Sequence, residues 1–407
     1  MKIAILQDEM PWDSVGGAGV VALDLAKGLC HRGHDVFVIC ATHRDVPEYE
    51  ERGGLRIYNI KNRPFGFLRY YFCLYNPQIV PKIRKIFEKE KPDVVHCHNL
   101  HSALSYHSLK IAKKIAKKIF ITTHDAMMFN YGKLASARYL KNFDCRASWI
   151  DNFKTAGKQY NPLRNILIKH YLKYADKIFA VSHALADALN QNGIKNIAVV
   201  YNGVDIGSFR AEEDDVKNFK KHHNLEGKKI IFFAARISRE KGPETLLRAL
   251  PHILRRIPNA VLLIAGDGNE SYVKILKNIA ASAGLENAVL FLGRVPYEEI
   301  DKFYFIADVA VTPSIYLDPF NLTNIAAMAA KKPVVGTCYG GTPEIVLDGK
   351  TGFIINPFNI EIMAEKISNL LEDEQLSEAF GAEGNKRVKE KFSLEKQVDE
   401  TLRYYNE

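Results

Sequence analysis

Two basic residues stand five positions apart in the second half of the chain and could hold an anionic group. Arg236 lies just after the apolar segment 229–234, and Lys241 precedes Gly242 at the start of a helical pattern. Cations on a loop that leaves a strand end suit a pyrophosphate, which gains negative charge as it departs in a transfer reaction. The alternative is a solvated loop with ordinary surface cations, and the spacing alone does not exclude it.

Glycine-rich stretches form two further loops after apolar segments. Gly16 and Gly17 precede the amphipathic segment 20–30. Glycines at a helix start let backbone N–H groups approach an anion, and the helix dipole adds a favourable field. This loop is a candidate phosphate or sugar contact, with a plain tight turn as the alternative. Gly266, in the sequence Ala-Gly-Asp-Gly, ends another strand pattern in a tight turn that would suit a nucleobase or ribose.

The segment 312–322 leads into a helical pattern over 323–330. We expect the N–H groups of Phe320, Asn321 and Leu322 at the N-terminus of this helix, where they would form a second anion site.

The cluster His-Cys-His-Asn-Leu-His over residues 96–101 superficially suggests a metal site. Neighbouring residues of a strand point to opposite faces, so at most His96 and His98 converge, with His101 as a candidate from the following loop. We predict no metal there.

Length and composition indicate a globular protein. The chain has 407 residues, which at about 150 residues per domain suggests two or three domains. Apolar residues make up 47% and charged residues 25%, which excludes disordered and fibrous classes. No apolar run approaches the roughly 18 residues that span a bilayer, and the acidic Asp8 and Glu9 come too early for a signal peptide. Six cysteines without paired spacing favour free thiols and a cytoplasmic location.

The net charge of +9 is unevenly distributed. Residues 1–200 hold 30 Lys and Arg against 17 Asp and Glu, whereas residues 201–407 hold 26 against 30. An anionic partner is therefore expected to meet the first half. Nucleic acid is not predicted as a partner, because the basic residues are scattered and no binding module is recognisable.

Short apolar runs alternate with helical patterns in two successive series. Several runs are apolar on both faces, as buried parallel strands are, and most are separated by enough residues for a crossover helix. We predict an α/β fold of two Rossmann-like doubly wound domains, 1–203 and 204–385, with a C-terminal helix at about 386–407 that crosses back to the first. The predicted strands are 2–6, 36–40, 93–96, 119–122, 177–181, 197–201, 229–234, 260–264, 289–291, 309–312, 334–336 and 352–355.

Taken in order, these motifs resemble the retaining, nucleotide-sugar-dependent glycosyltransferases of family 4. That family has the GT-B fold, in which two Rossmann-like domains face each other across a cleft. The resemblance covers nearly the whole chain, and the ordered set rather than any single piece carries it. The motifs are Gly16-Gly17, the segments 29–36, 92–98 and 200–205, Arg236 with Lys241-Gly242, and the segments 265–268, 291–295, 332–336, 342–346 and 348–353.

The resemblance implies roles for the site residues. Arg236 and Lys241 would hold the donor diphosphate, and the Gly16-Gly17 loop would approach it from the opposite domain. His124, in Thr-Thr-His-Asp after a strand, matches a family histidine near the reacting sugar. The implied donor site is completed by Gly266, Val295, Phe320, Asn321 and Leu322.

The family's mechanism retains the anomeric configuration without a clear enzyme nucleophile. It is described as attack on the same face, with the leaving phosphate helping to deprotonate the acceptor hydroxyl. The implied co-substrate is a nucleotide-diphosphate sugar, with no other cofactor. No metal is expected, because Arg and Lys neutralise the diphosphate as a metal would.

The sequence departs from the family at two glutamates separated by seven residues. The first touches hydroxyls of the transferred sugar, and Asp318 keeps its carboxylate. The second binds both ribose hydroxyls, and Ala326 keeps nothing; Asn321 replaces the usual glycine between them. Because a hydrogen bond to a charged group contributes about 1.5–3 kcal/mol, this loss would weaken nucleotide binding roughly 10- to 100-fold.

Three explanations of the missing glutamate are open. Asn324 or Glu344 supplies the ribose contact, the enzyme works with a weaker donor complex, or the chain is a non-catalytic glycan- or partner-binding protein. The retained Arg236, Lys241 and His124 favour activity. A nucleotide-sugar epimerase or a phosphorylase of the same fold is a further alternative.

The acceptor is expected on the basic N-terminal domain. The segment 110–119 places Ile111 and Ile115 on one helix face with lysines around the other, which would suit an anionic bilayer. Its alternative is a helix packed on the sheet with a solvated lysine face. The segment 63–72 interleaves arginines with aromatics and would suit a lipid interface or a polyprenyl tail. We therefore predict a peripheral enzyme at the cytoplasmic membrane face that acts on a lipid-linked or cell-envelope glycan precursor.

Overall fold

The computed structural model describes residues 1–13, 16–63, 66–296 and 299–407. These residues form two compact units. Unit 1 comprises Met1–Gly203 together with Leu394–Glu407, and unit 2 comprises Val204–Ser393.

Unit 1 is built on an eight-stranded sheet. Its strands are β1 (Lys2–Gln7), β2 (Asp35–Thr42), β3 (Tyr49–Arg52), β4 (Leu55–Lys61), β5 (Val94–Cys97), β6 (Lys118–Thr123), β7 (Lys177–Ala180) and β8 (Ile197–Val199). Their spatial order is β3-β4-β2-β1-β5-β6-β7-β8, and all neighbours are parallel except the antiparallel pair of β3 and β4. The β3–β4 pair was not predicted, because β3 is a short, charged edge strand and β4 interleaves Arg56 and Asn59 with its apolar residues.

Helices of unit 1 cover the sheet and bury an apolar core of Ile, Leu, Val and Phe side chains. The first eight helices are α1 (Gly17–His31), α2 (Arg69–Phe72), α3 (Val80–Glu90), α4 (His107–Ala112), α5 (Ala137–Asn142), α6 (Trp149–Ala156), α7 (Arg164–Leu172) and α8 (His183–Gln191). Two short 3₁₀ helices, Gly66–Leu68 and Gly157–Gln159, complete this part.

Unit 2 is built on a six-stranded, fully parallel sheet with its own apolar core. Its strands are β9 (Lys229–Ala234), β10 (Ala260–Ala265), β11 (Val289–Gly293), β12 (Val309–Thr312), β13 (Val334–Thr337) and β14 (Gly352–Ile355), in the order β11-β10-β9-β12-β13-β14. Its helices are α9 (Glu213–His222), α10 (Pro243–Arg256), α11 (Glu270–Ser282), α12 (Ile300–Ile306), α13 (Leu322–Ala329), α14 (Thr342–Ile345), α15 (Ile360–Glu372) and α16 (Glu374–Lys391), with 3₁₀ helices at Ile206–Ser208 and Arg239–Lys241.

The last helix, α17 (Leu394–Asn406), belongs to unit 1 and packs on α1. Gly28 permits the close approach, since a Cβ there would lie 2.5 Å from Val398 Cγ2. The chain returns to unit 1 at Leu394 rather than at about 386, because α16 stays on unit 2, where Asn385 Nδ2 donates to the Ala329 carbonyl at 2.7 Å. Among helices of the described residues, none has the length and apolar composition that crossing a membrane requires.

In each unit the strand order reverses between two adjacent strands, β1 and β5 in unit 1 and β9 and β12 in unit 2. The loops that leave two such strands turn in opposite directions and leave a crevice beyond their carboxyl ends, where ligands of open α/β sheets bind. These two switch points determine where the candidate residues meet.

Candidate functional site

The switch point of unit 2 brings Lys241 and Asp318 together. Lys241 ends a 3₁₀ helix after β9, and Asp318 lies in the loop between β12 and α13. Lys241 Nζ lies 2.7 Å from Asp318 Oδ2, although the residues are 77 positions apart. A backbone hydrogen bond of 2.7 Å from the Ile315 N–H to the Glu240 carbonyl ties the same two loops.

Asp318 is a buried carboxylate, with 3% of its surface exposed. Besides Lys241, Ser314 Oγ donates to Oδ2 at 2.8 Å and Asn321 Nδ2 at 3.2 Å. Three donors with one positive charge compensate the cost of burying this group. All three converge on Oδ2, and within the described residues Oδ1 accepts no hydrogen bond. Oδ1 is thus the oxygen that a ligand hydroxyl can reach.

The loop after β13 holds the backbone of Asp318 in place. The Gly341 N–H donates to the Asp318 carbonyl at 2.9 Å. Gly340 has φ +67°, and a Cβ at this position would clash with the Asp318 carbonyl oxygen and amide nitrogen. Only glycine combines that backbone angle with that approach.

The two predicted diphosphate cations differ in their surroundings. Lys241 is half-buried, paired with Asp318 and 5.3 Å from the centroid of the Tyr316 ring. Arg236 is exposed, and in the described part of the chain it has neither an ion pair nor a hydrogen bond. The Arg236 guanidinium is therefore free to bind an anion, whereas the Lys241 ammonium also pairs with the Asp318 carboxylate.

The remaining donor candidates lie beyond the carboxyl ends of the same sheet. Gly266 has φ +136°, and a Cβ there would clash with the Ala235 carbonyl, so this glycine is required by the packing of two loops. Val295 is half-buried just after β11, and Phe320 packs on Phe392 with ring centroids 5.7 Å apart.

The predicted anion site, the N–H groups of Phe320, Asn321 and Leu322, lies at the start of α13 and stays a prediction; the bonded N–H of this turn is that of the following Thr323. Asn321 is the N-cap of this helix, and its Oδ1 accepts the Thr323 N–H at 3.1 Å. This N–H is therefore already bonded. Leu322, the first residue of the helix, is half-buried.

The structure rejects one of the two substitutes for the missing ribose glutamate. Asn324 is fully buried, where its Oδ1 accepts from Thr312 Oγ1 at 2.7 Å and its Nδ2 donates to Thr342 Oγ1 at 3.4 Å. The expectation that Asn324 reaches a ribose is wrong, because it fastens α13 to the sheet. Glu344 is half-exposed in α14, and Ala326 is half-buried in α13.

In unit 1, His124 ends a row of three histidines that we call the histidine stack, His96, His98 and His124. His124 Nε2 lies 2.9 Å from His98 Nδ1, and their rings are nearly parallel with centroids 5.2 Å apart. His98 stacks on His96 at 4.7 Å. Both His96 nitrogens have partners, Tyr405 OH at 2.6 Å and Thr122 Oγ1 at 2.7 Å.

The histidine stack is uncharged near neutral pH. Burial, with a smaller contribution from the nearby His124, lowers the pKa of His96 to about 3. Burial lowers the pKa of His124 to about 4, against an opposing effect of Asp125. Burial also takes the pKa of His98 well below its usual range. In a neutral pair one ring donates and the other accepts, so the tautomers of His98 and His124 depend on each other.

Over the ranges that the structure describes, no set of three or more His, Cys, Asp and Glu side chains is arranged to hold a metal ion. His96 and His98 do lie on one side of β5, as their alternation predicted, but their contacts are to each other and to hydroxyl and imidazole groups.

The glycine loop of unit 1 starts α1. Gly16 is the N-cap and Gly17 the first helical residue, with no acidic residue in the first turn. Gly19 packs beneath the loop after β1, since a Cβ there would lie 2.7 Å from the Glu9 carbonyl oxygen. Ser14 and Val15 of this loop lie outside the described residues.

Of the two predicted membrane segments, 110–119 is not one helix. Helix α4 ends at Ala112 and β6 begins at Lys118, so the isoleucines do not share a helical face. Lys113 and Lys117 pair with Asp176 and Asp93, at 3.3 and 3.1 Å. The alternative of a single packed helix with a solvated lysine face is therefore wrong as well.

The other segment, 63–72, divides between surface and core. Pro64 and Phe65 lie outside the described residues. Tyr70 is buried and donates to the Tyr131 carbonyl at 2.7 Å, whereas Tyr71 is about half-exposed.

Comparison with known proteins identifies the family. Residues 15–208 match the family model described as Glycosyltransferase Family 4, and residues 214–387 match the one described as Glycosyl transferases group 1. An uncharacterized glycosyltransferase of Methanocaldococcus jannaschii is 30% identical over 410 residues, covering 100% of this chain and 98% of that protein. The chain is a family 4 glycosyltransferase.

Two further comparisons are informative, one with a protein similar to part of this glycosyltransferase and one with a protein similar in overall fold. A GDP-mannose-dependent phosphatidylinositol monomannoside mannosyltransferase of Mycolicibacterium smegmatis is 30% identical over 188 residues, 45% of this chain and 49% of that protein. Anabaena HepE, whose crystal structure holds UDP and glucose, has a TM-score of 0.74 at 22% identity and covers 100% of this chain and 99% of its own. The predicted GT-B fold class of two Rossmann-like units is confirmed.

Proposed function

We propose that this glycosyltransferase moves a hexose-type sugar from a nucleotide-diphosphate sugar to a hydroxyl acceptor, with retention of configuration and without a metal ion. The observation that carries the proposal is the Lys241–Asp318 pair at the switch point of unit 2, on the same loop as the free Arg236. A nucleotide-diphosphate sugar requires a cation for its diphosphate and a hydrogen-bond acceptor, such as a carboxylate, for its sugar hydroxyls.

Arg236 and Lys241 bind the diphosphate in this proposal. The Lys241 ammonium has three N–H groups, so it can keep its bond to Asp318 and still donate to a phosphate oxygen. Arg236 supplies an unpaired guanidinium that can bind phosphate in a bidentate manner. Both charges stabilise the leaving group as it gains negative charge, which lowers the barrier to transfer.

Asp318 and His124 act on the sugar. Asp318 Oδ1 accepts a sugar hydroxyl while Oδ2 stays bonded to its three donors. His124, kept neutral by burial, forms a hydrogen bond near the reacting centre without adding charge. The acceptor hydroxyl attacks the face that the diphosphate leaves, and its proton passes to the departing phosphate oxygen. No protein group is needed as nucleophile.

The acceptor in this proposal is a lipid-linked or cell-envelope glycan precursor at the cytoplasmic face of the membrane. The excess of 30 basic over 17 acidic residues in the first 200 positions supports an anionic surface as partner. The partly matching mannosyltransferase, whose name gives it a phosphatidylinositol-based acceptor, supports the lipid class.

Calorimetric titration with a panel of nucleoside diphosphates and their sugars tests the donor site. We expect one nucleotide to be preferred and Lys241→Ala to weaken its binding roughly 10- to 100-fold, since a charge-assisted hydrogen bond is lost. Lys274→Ala, which removes an exposed lysine of α11, is the matched control and should bind as the parent does. Ala326→Glu should strengthen binding, because it restores a carboxylate for the ribose.

Turnover completes the test. Sugar transfer that persists in a chelator and yields the donor's anomeric configuration, read by NMR coupling constants, supports a retaining, metal-independent enzyme. Absence of binding to every nucleotide at millimolar concentration would instead indicate the non-catalytic binding protein.

A further inference from the structure

Two helices of unit 1 turn apolar side chains to the solvent. On α6, Trp149 is 69% exposed, and Ile150 and Phe153 on the same face are about half-exposed. On α7, Ile166 is 64% exposed and Leu167 lies beside it. Leu163, the N-cap of α7, extends this surface. Such a concentration of large apolar groups on the outside of a folded unit marks an interaction site.

This exposure is built into the structure, because polar side chains fasten the inner faces of both helices. Asn152 of α6 and Asn165 of α7 both donate to the Phe129 carbonyl, at 3.3 and 2.7 Å, which holds the two helices side by side. Arg164 is fully buried and donates to the Asn130 carbonyl at 3.1 Å.

The Arg164 guanidinium also lies 4.6 Å from the centroid of the Tyr131 ring. A helix whose arginine is buried while its neighbouring isoleucine is exposed reverses the usual amphipathic arrangement. Packing therefore fixes which residues face outward, and the apolar residues named above are held there.

The same surface is strongly basic. Residues 126–175 contain nine Lys and Arg, of which Arg164 is buried, and only two acidic residues. Both acids are neutralised, Asp144 by Arg146 and Asp151 by Arg138, each at 2.8 Å. The four exposed lysines of α6, α7 and the segments that follow them carry no ion pair within the described residues; they are Lys154, Lys158, Lys169 and Lys173.

We infer that this α6–α7 surface docks on an anionic lipid bilayer. Tryptophan is favoured at the level of the headgroups, aliphatic and phenyl side chains enter the acyl boundary, and lysines contact lipid phosphates. A protein partner fits less well, since lysine is depleted in the cores of protein interfaces. The inference rests on the proposed function in one respect, because a lipid-linked acceptor would place the reaction at the bilayer. It uses residues of unit 1 alone.

Flotation with vesicles of phosphatidylcholine containing phosphatidylglycerol tests the charge requirement, with pure phosphatidylcholine vesicles for comparison. The parent protein should float with the anionic vesicles at low salt and be released at high salt. Lys154→Gln with Lys158→Gln should lower the partition coefficient roughly 25-fold, at about fivefold for each lysine. Lys27→Gln with Lys91→Gln removes the same charge from exposed positions on α1 and on the loop before β5, and should leave partitioning unchanged.

The contribution of the apolar side chains is tested by one variant and a matched control. Ile166→Ser should lower partitioning roughly tenfold, whereas Ile275→Ser, at an exposed isoleucine of α11 in unit 2, should not.

Fluorescence locates the surface directly. The chain has two tryptophans, so Trp12→Phe leaves Trp149 as the sole reporter. On addition of anionic vesicles its emission should shift to the blue and be quenched by brominated lipid.

The inference is overturned if the protein does not float at low salt, if bound protein leaves Trp149 emission unshifted, or if the Lys27 and Lys91 pair abolishes binding. Sedimentation that shows a dimer shielding Trp149 would assign the surface to self-association and overturn it too. Nucleotide titration of each preparation separates the two proposals. Failed flotation with intact nucleotide binding rejects the docking surface alone, and the reverse result rejects the proposed transferase alone.

Discussion

Lys241 and Asp318 form a buried ion pair, with Nζ 2.7 Å from Oδ2, that joins the two loops at the switch point of unit 2. The lysine stabilises the carboxylate, because burying a carboxylate without a cation beside it costs free energy. Since Ser314 and Asn321 bond the same oxygen, the pair also orients the carboxylate. The candidate site therefore holds its own geometry before any ligand arrives.

Replacing Asp318 by Asn should separate sugar transfer from nucleotide binding. The amide keeps the shape of the carboxylate but releases the Lys241 ammonium, so the affinity for the nucleoside diphosphate should be equal or higher. Transfer should fall roughly 100-fold, because the sugar loses a charged acceptor in the transition state. Calorimetry and turnover on one preparation measure both. If Asp318→Asn loses nucleotide binding as Lys241→Ala does, the carboxylate serves only to hold the lysine.

Gly340 should be far less tolerant of a side chain than Gly349. Both have left-handed φ, +67° and +69°, but a Cβ on Gly340 would clash with the Asp318 backbone while Gly349 has open space around it. Gly349→Ala should cost about 1 kcal/mol of unfolding free energy, and Gly340→Ala about 3 kcal/mol. Urea unfolding measures both values. Equal losses would show that the loop after β13 does not constrain Asp318.

His98 should support transfer through His124. His98→Phe keeps a stacked ring but removes the 2.9 Å bond to His124 Nε2, so we expect turnover to fall roughly tenfold with nucleotide affinity unchanged. His98→Asn, which can still bond from a similar position, should recover most of the activity. His222→Phe, at an exposed position of α9, is the control. A uniform loss in both His98 variants would point to folding rather than to positioning.

The histidine stack should make unfolding sensitive to acid. Burial lowers the pKa of His96, His98 and His124. Below about pH 6.5 these histidines therefore bind protons in the unfolded chain while they stay neutral in the folded chain. The free energy of unfolding should fall as the pH drops from 6.5 toward 4, by up to about 1.4 kcal/mol per pH unit for each histidine. Asp8, whose pKa burial raises, acts in the opposite direction.

Urea unfolding between neutral pH and pH 4.5 measures this dependence. His98→Phe should reduce the slope by about one proton. His31→Phe, at an exposed position of α1, is the control. A slope that His98→Phe does not alter would contradict the neutral stack.

Twelve strands followed from the sequence, since buried parallel strands are apolar on both faces and leave continuous apolar runs. The edge strand β3 left no such signal, because its Tyr-Glu-Glu-Arg sequence lies largely in solvent. The segment 110–119 was misread as a helix, since lysines and isoleucines satisfy a helical period there while the start of β6 lies within it. Local pattern decides whether an element exists, and pairing with neighbours decides where it begins.

The residues of the candidate site could be named one by one, Arg236 and Lys241 from their place after a strand and His124 and Asp318 from the resemblance to the family. The contacts between these residues could not be predicted from the sequence. Lys241 reaches Asp318 because β9 and β12 are adjacent, and His96 reaches Tyr405 because α17 returns to unit 1. Strand order and chain return are set by the packing of whole elements, which no local window of sequence encodes. For the same reason the sequence did not reveal the exposure of Trp149 and Ile166, which follows from the packing of the buried Arg164 and its partners.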